Sequence, residues 1–373
     1  MTRAGPRRVV VIDPSTAPTG ALRGAVNIAR AAGPDAEPWL VLATSSRVDD
    51  VDLSTFTHVV RVPMRQIRRA AIDLTLYAPA LVAAAARLRR LLRDDDVVVI
   101  NDFYLLHGWL LRRLGFRGRI VTWVRIDPLA FPAPLRRVWI AAARSASDAV
   151  VAVSGFIAGR LRAEGIDAHR LYDPVDCSPA PRRTADAATQ VIVQIANFTR
   201  GKGQDDAIAA FARIAPRFPQ ARLLLHGGDM GLQRNRDYRV ELERQAAAAG
   251  VGDRVLFRGF VRDIGAVLAG ADLALVLSHR ESFSLSCLEA GACGLPVVAT
   301  RCGGPEEIVE DGETGLLCPV GDVPAIAAAM ARLLGDAGAA AAMGARGAAL
   351  VRQRFSGDAF AAGLRGLLFP RSP

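Results

Sequence analysis

Two glutamates, Glu281 and Glu289, stand eight residues apart in the stretch Glu281-Ser-Phe-Ser-Leu-Ser-Cys-Leu-Glu289 and flank a short loop and the start of a helix. An apolar strand, Asp272 to Leu277, is expected to lead in, and a second, Leu295 to Ala299, to lead out. That order sets a helix N-terminus at the carboxyl end of a buried parallel strand, where open α/β sheets bind their ligands. The N–H groups of a first helical turn, with the helix dipole, favour an anion such as a diphosphate. Helical side chains lean toward the N-terminus, so Glu289 reaches back toward whatever sits there. A carboxylate beside a diphosphate is repelled unless it has hydroxyls to accept from. Ribose hydroxyls for Glu289 and a hexose hydroxyl for Glu281 meet that need. The segment reads as a nucleotide-sugar site.

Of 47 basic residues only one is lysine, Lys202. It lies in the turn Thr199-Arg-Gly-Lys-Gly203, between an apolar strand (Val191 to Ile195) and a helix (about Asp205 to Ala215). A lysine is a compact, strongly hydrated point charge where arginine is a planar fork. A site without metal must neutralise a leaving diphosphate with cations and backbone dipoles. The strand–turn–helix position puts Arg200 and Lys202 at the same sheet edge as the Glu281 loop; the alternative is a solvated turn lysine. Around that loop, the backbone N–H groups of Phe283, Ser284 and Leu285 carry the chemistry. Serine is tolerable at 282 and 284 while φ stays negative, and Ser284 suits an N-cap. Phe283 wedges the loop, while Ser286 and Cys287 read as plain first-turn residues. In Arg258-Gly-Phe-Val261, main-chain groups of Phe260 and Val261 suit the edge of a base, or the segment is a simple turn.

Short apolar runs alternating with helical segments predict parallel α/β sheets. First-half strands are expected at Arg8–Ile12, Trp39–Ala43, His58–Val62, Val97–Ile100, Arg119–Val124 and Ala149–Val153. Helices are expected near Gly20–Ala32, Leu76–Arg93, Tyr104–Leu114, Leu135–Ala146 and Ser154–Ala163. Second-half strands are expected at Val191–Ile195, Arg222–His226, Val255–Arg258, Asp272–Leu277, Leu295–Ala299 and Gly315–Leu317. Their helices fall near Asp205–Ala215, Tyr238–Ala249, Asp263–Ala269, Leu285–Ala292 and Val323–Leu334, followed by an Ala-rich helix from Ala337. The expected division is a Rossmann-like domain over 1–175, a Pro-containing linker over 176–190, and a second Rossmann-like domain over 191–355. A last helix over 356–373 would cross back to the first domain.

Glu-x7-Glu, followed by Ala-x-Ala-Cys-Gly-Leu-Pro-Val-Val-Ala-Thr and Gly-Gly-x-x-Glu, resembles the donor-site signature of retaining glycosyltransferases of family 4, the glycosyl transferases group 1. The resemblance covers residues 190 to 335 strongly and the first half loosely. It implies the GT-B fold: two Rossmann-like domains with parallel sheets facing a central cleft. It also implies transfer of a sugar from a nucleotide-activated donor with retention, no divalent metal and no cofactor besides the donor. The favoured family picture is a front-face reaction in which the leaving phosphate oxygen accepts the acceptor's proton. In the family an arginine and the lysine of the 196–203 turn both meet the diphosphate. Here Ala196 and Asn197 stand at the family's Gly-Arg, and Arg200 is the available replacement. Only Gly20, in Thr19-Gly20-Ala-Leu-Arg-Gly24, matches the family's glycine pair after the first strand. Where the family often has a histidine near the sugar, this chain reads Thr122-Trp-Val-Arg-Ile-Asp127, which offers Arg125 or Asp127. Asp102 and His107 follow another strand end; they line the cleft, or are a capping Asp and a satisfied helix His.

At 373 residues, 51% hydrophobic and 23% charged, the chain suits two globular domains. No apolar run approaches the ~20 residues of a membrane span. The five cysteines form no C-x-x-C pair, which favours buried thiols in a reducing cytosol over disulfides or zinc. Residues 1–180 carry 25 arginines against 17 acids, net +8, while residues 181–373 carry only +2. Arg61 to Arg93 holds eight arginines and one acid, Asp73. That is a solvated helix face, or a basic surface for an anionic lipid or polyanionic acceptor. The expectation is a cytoplasmic protein at the inner face of the membrane, acting on a glycan, lipid-linked or small-molecule acceptor and not on nucleic acid. The alternatives are a sugar-nucleotide epimerase and a non-catalytic sugar-nucleotide-binding protein. A dinucleotide-binding Gly-x-Gly-x-x-Gly is missing after the first strand.

Overall fold

The computed structural model describes residues 6–17, 19–48, 51–65, 71–175 and 189–370, with the backbone alone for 71–75. The chain divides into two compact units, Met1–Pro174 with Gly357–Pro373, and Val175–Ser356. Most of the expected linker, with Cys177, Pro179 and Pro181, lies outside the described residues.

The first unit is built on a parallel sheet of β1 (Arg7–Ile12), β2 (Ala36–Ala43), β3 (His58–Val62), β4 (Val97–Ile100), β5 (Arg119–Val124), β6 (Ala149–Ala152) and the short β7 (His169–Arg170). Their order is β3-β2-β1-β4-β5-β6-β7. Around it lie α1 (Gly20–Ala31), α2 (Ala71–Leu91), α3 (His107–Arg113), α4 (Ala133–Ala146) and α5 (Gly155–Ala163). The chain's last helix also belongs to this unit. Val-rich strands such as Val97–Ile100 are buried along their whole length, as central parallel strands covered on both faces must be.

The second unit repeats the scheme with β8 (Val191–Ile195), β9 (Arg222–His226), β10 (Val255–Arg258), β11 (Leu273–Val276), β12 (Val297–Thr300) and β13 (Gly315–Cys318). They run in the order β10-β9-β8-β11-β12-β13 and are parallel throughout. Its helices are α6 (Gln204–Ile214), α7 (Gln233–Ala248), α8 (Ile264–Ala269), α9 (Leu285–Ala292), α10 (Val323–Gly335) and α11 (Ala337–Arg354); the chain's last helix is then α12 (Gly357–Leu368). The core is Ile208, Phe211 and Ile214 of α6 against Leu223, Leu225, Leu273 and Leu275 of the strands, with Met330 and Leu333 of α10. Both sheets have the doubly wound order, whose switch points fall between β1 and β4 and between β8 and β11.

The expected elements all form, six strands and α9 with the expected bounds and the others with shifted ends. Helix α7 starts at Gln233 rather than Tyr238, because its opening turn is polar and shows no apolar period; Asn235 anchors it by donating to the Asp229 carbonyl at 2.9 Å. Helix α3 starts at His107 rather than Tyr104, since Asp102 to Leu105 forms a turn closed by the Leu105 N–H on the Asp102 carbonyl.

One turn controls the second switch point. Gly203, at φ 73°, precedes α6, and a Cβ built on it would lie 2.0 Å from the Leu277 carbonyl oxygen at the end of β11. Only glycine lets the 199–203 turn lie against that strand end. The turn is further held by the Gln194 amide donating to the Lys202 carbonyl (2.7 Å) and the His279 N–H donating to the Gly201 carbonyl (2.8 Å). Gly203→Ala should therefore lose about 2 kcal/mol or more, combining left-handed strain with a backbone clash. Urea unfolding followed by far-ultraviolet circular dichroism checks this; an unchanged midpoint would show that the turn does not need the glycine.

Candidate functional site

The Lys202 turn and the Glu281 loop meet at the switch point of the second unit. Lys202 Nζ donates to Glu281 Oε1 at 2.6 Å, and Ser278 Oγ donates to the same oxygen at 2.7 Å. The Glu281 loop is an extension of the β11–β12 pairing: the Glu281 N–H donates to the Cys302 carbonyl, and Gly304 N–H donates to the Glu281 carbonyl at 2.8 Å. The Gly-Gly at 303–304 has a steric reason. A Cβ on Gly304 would sit 2.5 Å from the Phe283 Cα, so the loop and the 303–304 turn can touch only through glycine.

From there the chain enters α9. Ser284 is its N-cap, buried, at φ −111°, with Oγ accepting the Cys287 N–H. Ser282 and Ser284 both keep negative φ, as serine requires. Phe283 is buried against Phe355, ring centroids 5.8 Å apart, which fixes the loop from beneath. Leu285 opens the helix. Ser286 does more than a plain first-turn residue: its hydroxyl donates to the Ile195 carbonyl at the end of β8 (3.0 Å), tying α9 to the central strand. Glu289, one turn further, is 7% exposed. Burial pushes the Cys287 thiol up, far from a reactive thiolate.

Not every expected residue converges here. Arg200 is exposed, pairs with Glu241 of α7 and lies over the Tyr238 ring at 4.9 Å, so the structure does not bring it to Lys202. Asn197 is engaged by neighbouring segments: its Oδ1 accepts the Gly228 N–H, after β9, at 3.2 Å, and its carbonyl accepts from Gln204 of α6 at 3.0 Å. Phe260 is 52% exposed and Val261 half-buried, after β10. Ser278 and Thr300 were missed in sequence; the signal was a hydroxyl at the carboxyl end of each of two wholly apolar strands.

In the first unit the same position, past the ends of β1, β4 and β5, holds a buried polar network. Asp13 takes the Ser15 N–H on Oδ1 at 2.7 Å and the Asn101 amide on Oδ2. Asn101 in turn accepts Arg125 Nε at 2.7 Å, and Arg125 Nη1 is paired to Asp173. A Cβ on Gly24 would fall within 2.4 Å of the Arg125 guanidinium, so α1 lies directly on that side chain. Arg125 is thus buried and ties β5 to α1 and to Asp173. Asp127 is buried and accepts the Leu129 N–H at 2.9 Å, starting the short 3-10 turn Pro128–Ala130. Gly20 is the first residue of α1, capped by Thr19, whose Oγ1 accepts the Leu22 N–H at 3.2 Å. Asp13, Asn101 and Asp173 were not singled out in sequence, although the first two are polar residues straight after apolar strands.

Two expectations are corrected here. Asp102 does not cap a helix: it is buried and accepts the N–H groups of Phe103 (2.9 Å) and Arg125 (3.3 Å). His107 is not a satisfied histidine: it is buried at the start of α3, and neither ring nitrogen has a hydrogen-bond partner among the described residues. Burial pushes Asp102 up to about 7 from 3.8 and holds His107 down to about 4 from 6.5. The stability that Asp102 contributes is full below pH 3.8 and lost as pH rises through about 7. His107 acts oppositely, its contribution being present above pH 6.5 and lost as pH falls toward about 4. Asp102→Asn, which keeps an acceptor for both N–H groups, should therefore gain stability relative to wild type between pH 4 and pH 8. Urea midpoints at the two pH values measure it, and a difference that shrinks with rising pH would contradict the assignment.

Among the described residues one cluster brings metal-ligand atoms together, Asp205, Asp206 and His279, all within 4.8 Å. Its groups are already engaged: Tyr238 donates to Asp205 at 3.1 Å and His279 Nε2 lies 3.0 Å from Asp206.

Comparison with known proteins adds the lineage. Residues 181–349, which span the Lys202 turn and the Glu281 loop, match the family described as glycosyl transferases group 1. The chain is 32% identical over 296 residues to the GDP-mannose-dependent alpha-(1-6)-phosphatidylinositol monomannoside mannosyltransferase of Mycolicibacterium smegmatis, covering 70% of this chain and 74% of that protein. It is 36% identical over 173 residues to the N-acetyl-alpha-D-glucosaminyl L-malate synthase of Bacillus anthracis; that match covers 45% of this chain and only 42% of the synthase. Among solved structures, Anabaena HepE in complex with UDP-glucose superimposes with a TM-score of 0.80 over 96% of this chain and 98% of that one, at 23% identity. At that identity the likeness establishes fold: two Rossmann-like units on parallel sheets, the GT-B architecture. With the mannosyltransferase aligned over most of both chains, this protein belongs to the glycosyl transferases group 1 family of glycosyltransferases.

Proposed function

We propose that this chain transfers a glycosyl group from a nucleotide-diphosphate sugar to a glycan, lipid-linked or small-molecule acceptor, with retention at the anomeric carbon. The observation that carries the reading is the Lys202–Glu281 contact at 2.6 Å, beside the capped N-terminus of α9. It sets a cation, a carboxylate and a set of helix N–H groups on one sheet edge. In this reading Lys202 and the N–H groups of Phe283, Ser284 and Leu285 hold the donor diphosphate. Glu289 accepts from the ribose, Glu281 from a hydroxyl of the transferred sugar, and the main chain of Phe260 and Val261 meets the base. Arg200 is recruited from its pair with Glu241; such an exposed pair is worth only about 0–1 kcal/mol, so a diphosphate can compete for the guanidinium.

The bond between the anomeric carbon and the diphosphate oxygen breaks, with its electron pair going to that oxygen. The acceptor hydroxyl bonds to the same face, and its proton passes to the departing phosphate. The protein's share is positioning and charge stabilisation, with no resident metal or cofactor. The relative that uses GDP-mannose and the neighbour solved with UDP-glucose support a donor of this class.

On the acceptor side, α2 carries exposed Val82 and Leu91 beside exposed Arg87 and Arg90, with Arg93 just beyond its end. We read this face as the contact with an anionic lipid surface, at the inner side of a cytoplasmic membrane. Among the described residues no single helix is long and apolar enough to cross a membrane.

Release of nucleoside diphosphate from a panel of sugar nucleotides tests the donor reading. Glu289→Ala should lower kcat/KM by about 10- to 100-fold, the worth of a charge-assisted hydrogen bond; equal turnover would remove Glu289 from the ribose. For the lipid contact, the protein should sediment with anionic vesicles at low salt and be released at high salt. Equal binding to neutral vesicles would argue against the α2 face.

A further inference from the structure

The hydroxyls behind Glu281 have no role in the reading above, on which this inference rests. Ser278 and Thr300 lie at the carboxyl ends of β11 and β12, both buried. Thr300 Oγ1 donates to the Ser278 carbonyl (2.5 Å), and Ser278 Oγ donates to Glu281 Oε1 (2.7 Å). The same Glu281 oxygen takes the Lys202 ammonium, while no described residue hydrogen-bonds to Oε2. One carboxylate oxygen is thus committed to the protein by two donors, and the other is left for a ligand. A glutamate has three side-chain torsions. An outward-facing one held by a lysine alone would follow that lysine as it turns toward a diphosphate. The hydroxyl from the strand end supplies a second anchor that does not move with the donor.

We propose that Ser278, backed by Thr300, is a positioning residue that fixes the rotamer of Glu281. Its effect falls on the sugar end of the site, so it governs turnover and the choice among epimeric sugars rather than affinity for the nucleotide. Neither residue touches the donor: both act through Glu281. Gln194, buried and donating to the Lys202 carbonyl, holds the other partner's backbone in the same way, so the pair is anchored from two neighbouring strands.

Because Lys202 is the chain's only lysine, labelling with side-chain ¹⁵N-lysine yields one ammonium signal, which reports on the pair without any turnover. The variants are Ser278→Ala, Thr300→Val and Thr300→Ser. Ser278→Ala is expected to lower kcat on the order of 10-fold and to move the Lys202 signal, with nucleoside diphosphate affinity by calorimetry held within about 2-fold. Thr300→Val should act in the same direction, and Thr300→Ser, which keeps the hydroxyl, should restore wild-type kcat within about 2-fold. Wild-type kcat and an unmoved Lys202 signal in Ser278→Ala would overturn the proposal. So would a loss of kcat and nucleotide affinity in proportion to a fall in melting midpoint in all three variants, since that pattern marks general destabilisation. If the wild-type protein turns over no sugar nucleotide, the glycosyl-transfer reading fails, while the Lys202 signal still decides whether Ser278 positions the pair.

Discussion

The contact between Lys202 and Glu281 organises the second unit. It joins segments 79 residues apart, one after the central strand β8 and the other after β11, across the line where the sheet order reverses. With Lys202 one-third exposed, the pair contributes little to stability. What it demands is geometric. The 199–203 turn must lie against the end of β11, which only Gly203 allows, and the Glu281 loop must lie against the 303–304 turn, which only Gly304 allows. Ser286 then ties the start of α9 back to β8. The close approaches and polar ties around this point therefore serve one arrangement: a cation, a carboxylate and a helix N-terminus on one sheet edge.

The first unit uses its own switch point differently. There the polar groups face each other. Asp13, Asn101, Arg125 and Asp173 form a buried chain in which each charge has a hydrogen-bonding partner. Breaking a buried pair of this kind costs about 3–5 kcal/mol, because the remaining charge is left without water or counter-ion. Arg125 is accordingly a structural tie between β5, α1 and Asp173. Asp102 and His107, both buried and both shifted toward their neutral forms, extend this interior polarity.

Much of this was legible in the chain itself. Parallel strands read as short Val-, Ile- and Leu-rich runs, so β3, β4, β5, β8, β9 and β10 were placed to the residue. Amphipathic helices showed their period, and α7 lost its first turn only because that turn is polar. The Glu-x7-Glu spacing and the solitary lysine marked the donor-side candidates, since local sequence sets which residues sit at a strand end or helix start. Arg200 was less legible. Its position in the turn was right, but the direction of a long flexible side chain depends on what lies beside it, here Glu241 and the Tyr238 ring on α7.

Sequence alone thus determined the alternation of strands and helices, the α/β class, and the two loops whose residues suit a diphosphate and sugar hydroxyls. Those properties follow from hydrophobic period and backbone chemistry, which act over a few residues. Tertiary structure alone decided that Ser278 and Lys202 share one oxygen of Glu281, that Thr300 backs Ser278, and that Arg125 is spent on Asp173. Each of these joins side chains from different strands, and only the register and order of the sheets brings them within hydrogen-bonding distance.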